Sequence, residues 1–153
     1  MKNYFELLGL PLSPRIDAAD LRRQYFAMQR HFHPDNATNA KMRLEFVQIS
    51  ADINAAYNML KNAELRIYYL LKLRGVDILA ENGAVAPAVL MEAMELREEA
   101  LEAESEAQKQ QFVDKIKVMR ADLLEQTIAT LLANNLKSAT NHAIRLRYIS
   151  KIT

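Results

Sequence analysis

Cysteine and tryptophan are absent from this chain, and its 153 residues include only 3 Gly and 4 Pro. Without cysteine the fold has no disulfide, and the chain cannot itself hold an iron–sulfur cluster or a thiolate-bound zinc. The scarcity of Gly and Pro, with Ala, Leu, Met, Glu, Lys, Arg and Gln abundant, favours helix over sheet. No apolar run approaches the ~20 residues that a bilayer crossing needs. The N-terminus lacks the basic segment and apolar stretch of a secretory signal. A soluble, cytoplasmic protein without a membrane partner is the expectation. Glycine motifs for nucleotides and the Gly-x-Ser-x-Gly elbow of hydrolases are missing as well.

What is present is enough to build a core. Apolar residues make up 50% of the chain, and its length suits one domain or two small ones in series. The formal charge is +1 overall, but residues 1–75 carry +4 and residues 76–153 carry −3. Halves of opposite sign suggest two surfaces for two partners. Random surface variation gives the same difference, so charge alone does not decide.

The pattern predicts an all-α protein: a four-helix N-terminal domain over residues 1–75, a linker over 76–86, and an antiparallel three-helix bundle over 87–153. A short helix over residues 2–10 ends at Gly9, with Pro11 behind it and Tyr4, Leu7 and Leu8 on one face. The second helix opens at Asp17, which can cap its first turn. Leu21, Tyr25, Met28 and Phe32 form its buried stripe. Arg22, Arg23 and Arg30 lie off that stripe, as does Phe26. The third helix spans about 40–61, with Phe46, Ile49, Ile53, Tyr57 and Leu60 in register. A fourth, over 63–74, ends at Gly75.

Pro87 opens the next helix at a favourable position. At 100° per residue, Val89, Ala93, Leu96, Ala100 and Ala103 form one stripe, and Leu90, Met94 and Leu101 a second, with Met91 further round. Small residues suit the first to close packing within a bundle. Methionine suits the second to an adaptable binding surface, bordered by Glu92, Glu95, Glu98 and Glu99. A helix buried on two sides gives the same pattern. A long helix over 105–133 and a last one over about 137–150 complete the bundle.

One stretch stands between the second and third helices: Arg30-His31-Phe32-His33-Pro34-Asp35-Asn36. Proline pushes the residue before it out of the α region. The second helix should therefore end near Phe32, leaving His33 and Asp35 on a stiff connecting loop. Two long helices joined by a short loop lie antiparallel, so this loop stands at the exposed end of a hairpin. His31-x-His33-x-Asp35 also has metal-ligand spacing and would serve a metal-dependent hydrolase. The flanks are helical, however, and the only other histidine, His142, belongs to the distant bundle, so the ligand set is incomplete. The arginines are too few and too interrupted to make nucleic acid the partner.

Four helices with His-Pro-Asp between the second and third resemble the J-domain of DnaJ-type co-chaperones. Tyr4-Phe5-x-Leu7-Leu8-Gly9-Leu10-Pro11 and Ile53-Asn54-x-Ala56-Tyr57-x-x-Leu60 agree with it. Arg66-x-x-Tyr69-Leu70-Leu71-x-Leu73-x-Gly75 and Leu90-Met91-Glu92-x-Met94-Glu95-Leu96-Arg97-Glu98-Glu99 are similar to the HscB family, the J-proteins of iron–sulfur cluster biogenesis. The resemblance covers nearly the whole chain. It implies no enzyme activity and no cofactor for this chain, but stimulation of a partner's ATPase. The partner is a DnaK-type chaperone (HscA), contacted by His33, Pro34 and Asp35 with Arg22, Arg23 and Arg30 alongside. The bundle would hold the cluster scaffold protein (IscU) through Leu90, Met91, Met94, Glu95, Glu98 and Tyr148. Two residues depart from the family pattern: Asn36 stands where Lys is common, and Tyr148 where Phe is expected. A J-protein whose bundle serves a different client is the alternative.

Overall fold

The computed structural model describes residues 1–80 and 85–152. All regular structure among them is helical: α1 (Tyr4–Leu7), α2 (Ala18–His31), a 3₁₀ turn (Pro34–Asn36), α3 (Ala40–Leu60), α4 (Ala63–Leu73), α5 (Pro87–Glu102), α6 (Glu106–Leu132) and α7 (Leu136–Ser150). The residues group into two compact units, Met1–Arg66 and Ile67–Thr153. Glu81-Asn82-Gly83, in the expected linker, lie outside the described residues.

In the first unit, α1 is shorter than its sequence suggests. Only Tyr4–Leu7 is helical, and the face that goes inward is Phe5 with Leu8, each 1% exposed. Tyr4 and Leu7 stay half-exposed. A single turn is too short for periodicity to identify its buried side. Gly9 closes the turn at φ +65, where the Leu10 and Gly9 amides donate back to the Phe5 and Glu6 carbonyls. A residue with a Cβ is strained in that conformation.

The Asp17 side chain accepts the Ala19 and Asp20 amides and so starts α2. Antiparallel α2 and α3 are joined along a seam that descends α2 as it climbs α3. Tyr25 meets Tyr57 edge-on with ring centroids 4.1 Å apart, and its hydroxyl donates to Asn54 Oδ1 at 2.7 Å. Gln29 donates to Asn54 Oδ1 and the Ser50 carbonyl, and accepts the Ser50 hydroxyl at 2.6 Å. Phe32 packs edge-on against Phe46 at 5.3 Å. Beneath this seam Leu21, Ile53, Ala56 and Leu60 are buried. The half-buried Arg66 donates to the carbonyls of Pro14 and Leu60, tying the loop after α1 to the end of α3.

In the second unit, α4 ends on Gly75 at φ +90, with the Val76 amide bonded to the Leu71 carbonyl. Pro87 stands in the first turn of α5 as expected. Ser105 and Gln108 form a reciprocal capping box that starts α6. Asn134, at φ 58, turns the chain between α6 and α7. Each of α5, α6 and α7 packs on the other two. With one helix and two short turns between them, α5 and α7 run parallel. Leu96, Phe112, Ile116, Leu123, Leu146 and Ile149 form their core, and Ala139 and Ala143 are fully buried.

Candidate partner-binding sites

The first site is the turn between α2 and α3. His33 has the extended backbone that a following proline requires, at φ −63 and ψ 134. Its imidazole Nδ1 accepts the Asp35 amide at 3.1 Å, and its carbonyl accepts the Asn36 amide at 2.9 Å. The Asn36 side-chain amide reaches back to the Arg30 carbonyl at 2.7 Å. That bond satisfies one of the carbonyls left over at the end of α2. The turn is thus rigid in its backbone while its side chains face outward. The His33 side chain is 58% exposed and that of Asp35 92%.

Arg22, Arg23 and Arg30 are all exposed on the outer side of α2, beside the exposed Phe26. Arg23 forms an ion pair with Asp20 at 2.8 Å. Such a surface pair is worth little and is easily exchanged for another. Phe26 therefore sits in a basic surroundings, outside the core of the hairpin. Among the described residues, no three His, Cys, Asp or Glu side chains come close enough to hold a metal ion.

The second site is the outer face of α5. Ala93 and Leu96 are buried, whereas Leu90, Met91 and Met94 are 42%, 60% and 58% exposed. The small-residue stripe faces the bundle and the methionine-rich stripe faces out, so the reading of a helix buried on two sides does not hold. Glu95 and Glu98 are exposed along the same surface. Tyr148, on α7, is half-buried, with the Lys151 ammonium 5.5 Å from its ring centroid. Contiguous exposed Leu and Met side chains with an acidic border have the composition of a protein-binding surface rather than of a catalytic cleft.

One feature of this face is not marked in the sequence. Arg145 on α7 grips Glu92 on α5 with two parallel hydrogen bonds, Nε to Oε1 and Nη2 to Oε2, each 2.7 Å. The carboxylate raises the Arg145 pKa above its usual value, against the opposing effect of burial. The two residues are 53 positions apart. Only their opposite charges hinted at a pairing. A second cross-helix pair, Lys115 with Glu99 at 2.8 Å, links α6 to α5.

An antiparallel helical hairpin with an outward His-Pro-Asp turn, followed by a helical bundle, is the architecture of a J-protein. The family model described as the HSCB C-terminal oligomerisation domain matches residues 85–153. A curated relative from Vibrio cholerae serotype O1 (strain M66-2), the co-chaperone protein HscB homolog, is 39% identical over 98% of this chain and 92% of its own length. Among solved structures, chaperone HscB from Vibrio cholerae matches with a TM-score of 0.84 at 37% identity, covering 99% of this chain and 93% of that one. Human co-chaperone protein HscB matches with a TM-score of 0.90 at 28% identity, over 99% and 79%. The Jac1 co-chaperone from Saccharomyces cerevisiae shares the fold, with a TM-score of 0.84 at 22% identity over 99% and 90%. This chain belongs to the HscB family of co-chaperones.

Proposed function

We propose that this chain is a cytoplasmic co-chaperone that stimulates the ATPase of a DnaK-type chaperone (HscA) and delivers the iron–sulfur cluster scaffold protein (IscU) to it. It carries out no chemistry on ATP itself. His33, Pro34 and Asp35 act as the docking signal, and Arg22, Arg23 and Arg30 steer an acidic chaperone surface toward it. Leu90, Met91, Met94, Glu95, Glu98 and Tyr148 hold the scaffold.

The observation that supports this most strongly is the outward stripe of α5. Leu90, Met91 and Met94 stay exposed on a helix that buries Ala93 and Leu96. Exposed apolar surface is costly to maintain in water and is a regular mark of partner binding. It lies in a different compact unit from the His-Pro-Asp turn. That separation suits a protein that binds cargo with one unit and the chaperone with the other.

The test is the steady-state ATPase rate of the chaperone, titrated with this chain in the presence and absence of the scaffold. The expected result is stimulation by the chain alone and a further, more than additive, rise when the scaffold is added. No stimulation at any concentration would sink the proposal. Stimulation without any effect of the scaffold, together with a failed pull-down, would move the bundle to a different client.

A further inference from the structure

The α5 helix is poorly equipped to fix its own position. It buries two side chains, Ala93 and Leu96, and of these Leu96 alone joins the core cluster, with Leu146 and Ile149 of α7. Ridges fitting into grooves are what set one helix against another, and one large core side chain on a helix of sixteen residues gives few of them. The Glu92–Arg145 fork adds a second, directional anchor between α5 and α7. A two-point contact between a planar guanidinium and a planar carboxylate restricts both position and angle, which a single-point lysine contact does not. The pair is partly shielded from water, with side-chain exposures of 39% for Arg145 and 28% for Glu92. Salt therefore screens it less than an open surface pair.

Its place along the two helices matters. Glu92 lies next to Met91, and Glu95 follows one turn later. Arg145 lies one turn before Tyr148. Because α5 and α7 are parallel, the fork brings Glu95 and Tyr148 to the same level. We infer that Glu92 and Arg145 are positioning residues, which set α5 against α7 so that Tyr148 and the Leu90, Met91 and Met94 stripe form one scaffold-binding face. This inference rests on the scaffold-binding role proposed for that face. The fork itself need not touch the scaffold. It would make the contribution of Tyr148 depend on a residue 56 positions away in sequence, since Tyr148 alone can contribute only if it stands level with α5.

The experiment measures scaffold (IscU) binding to the full chain by calorimetry in a set of variants. Glu92→Gln should weaken binding about five- to tenfold, equivalent to loss of one well-made charged contact. Tyr148→Ala should weaken the unaltered chain about tenfold, yet change the Glu92→Gln variant by less than about twofold. Met91→Ala, on α5 itself, should cost the same in both backgrounds. Exchanging the charges, with Glu92→Arg and Arg145→Glu together, should restore the Tyr148→Ala penalty. A purely stabilising pair would lower the melting temperature but leave that penalty at full size in the Glu92→Gln background, and this result would overturn the inference. The NMR signals of the Tyr148 ring give a readout without the scaffold. They should shift in Glu92→Gln and return in the exchanged pair; an unmoved ring would count against the inference. If the unaltered chain binds no scaffold, the proposed role of the face fails with it. That outcome is distinct from one in which binding is normal and only the coupling is missing.

Discussion

The Asp35 amide donates to Nδ1 of His33 at 3.1 Å. A ring nitrogen that accepts a backbone amide has its lone pair engaged, so the imidazole proton stands on Nε2. The Asp35 carboxylate is 3.6 Å from the same nitrogen, too far for a hydrogen bond. The two candidate docking side chains are thus joined through a backbone amide, and the ring presents one outward donor. Nδ1 is occupied by the turn, which argues against its use as a metal ligand and for the use of Nε2–H as a contact.

This relationship separates two roles of His33. Asparagine can cap the turn, because its side-chain oxygen can take the place of Nδ1. It has nothing at the position of Nε2–H. His33→Asn should therefore keep the turn and the melting temperature, yet reduce stimulation of the chaperone's ATPase at least about tenfold, the effect of one lost hydrogen bond that a partner leaves unsatisfied. His33→Gln should lose stimulation too, with a looser turn. If His33→Asn stimulates like the unaltered chain, capping is the whole role of the histidine.

Asn36 stands where the J-domain resemblance leads one to expect Lys, and the structure gives its local role: the side chain bonds the Arg30 carbonyl. Asn36→Ala should cost about 0.5–1 kcal/mol of stability, as expected for one exposed hydrogen bond at a helix end. Asn36→Lys should lose the same bond but add a cation beside the His-Pro-Asp turn. Its half-maximal concentration for ATPase stimulation should fall at low salt and rejoin that of the unaltered chain at about 0.5 M salt, where the field is screened. Chaperone titrations at two ionic strengths, with a thermal melt, check both effects.

Much of this was legible in the residues because it is local. Asp17 caps α2, Pro87 opens α5, and Asn134 turns the chain between α6 and α7, each as its residue type suggests. The two stripes of α5 were separable because sixteen residues give more than four turns of periodicity. In α1, with four residues, the same reasoning gives Tyr4, Leu7 and Leu8, of which Leu8 alone is buried, and misses Phe5. The seam of Gln29, Ser50 and Asn54 and the fork of Glu92 and Arg145 were not legible. Each joins polar residues more than twenty positions apart. No periodicity marks which of many Gln, Asn, Glu or Arg side chains will meet across a helix pair. Tyr148 was placed by family resemblance alone.

The exposed stripe of α5 predicts a clean separation of function from folding. Leu90, Met91 and Met94 give up little burial when truncated, because about half of each is already in water. The triple Ala variant should melt within a few degrees of the unaltered chain, since alanine is also the better helix former. Its scaffold affinity should fall at least about a hundredfold, because a few apolar anchors dominate most interfaces. ATPase stimulation in the absence of scaffold should be unchanged. A triple variant that binds the scaffold normally would remove this face from the site.

Arg66 supports the first unit without belonging to either site. Burial lowers its pKa below the usual arginine value, so the charged guanidinium is placed there at a cost. Hydrogen bonds to the Pro14 and Leu60 carbonyls offset that cost. The Leu60 carbonyl closes α3 and belongs to the set that no amide of the helix can satisfy. Arg66→Met removes the charge and keeps much of the bulk, but leaves both carbonyls without this donor. The expected loss is about 2 kcal/mol, within the usual range for hydrogen bonds from a charged donor. The sign of the pH dependence follows from the lowered pKa. A cation destabilised by folding would give stability that rises only as pH climbs through its folded pKa. For arginine that lies far above working conditions, so the guanidinium stays charged on both sides of the folding equilibrium. The difference in stability between Arg66→Met and the unaltered chain should therefore be flat from about pH 5 to pH 9. Denaturant titrations across that range provide the check. A difference that collapses toward pH 5 would mean that a carboxylate, rather than the two carbonyls, is the partner that matters.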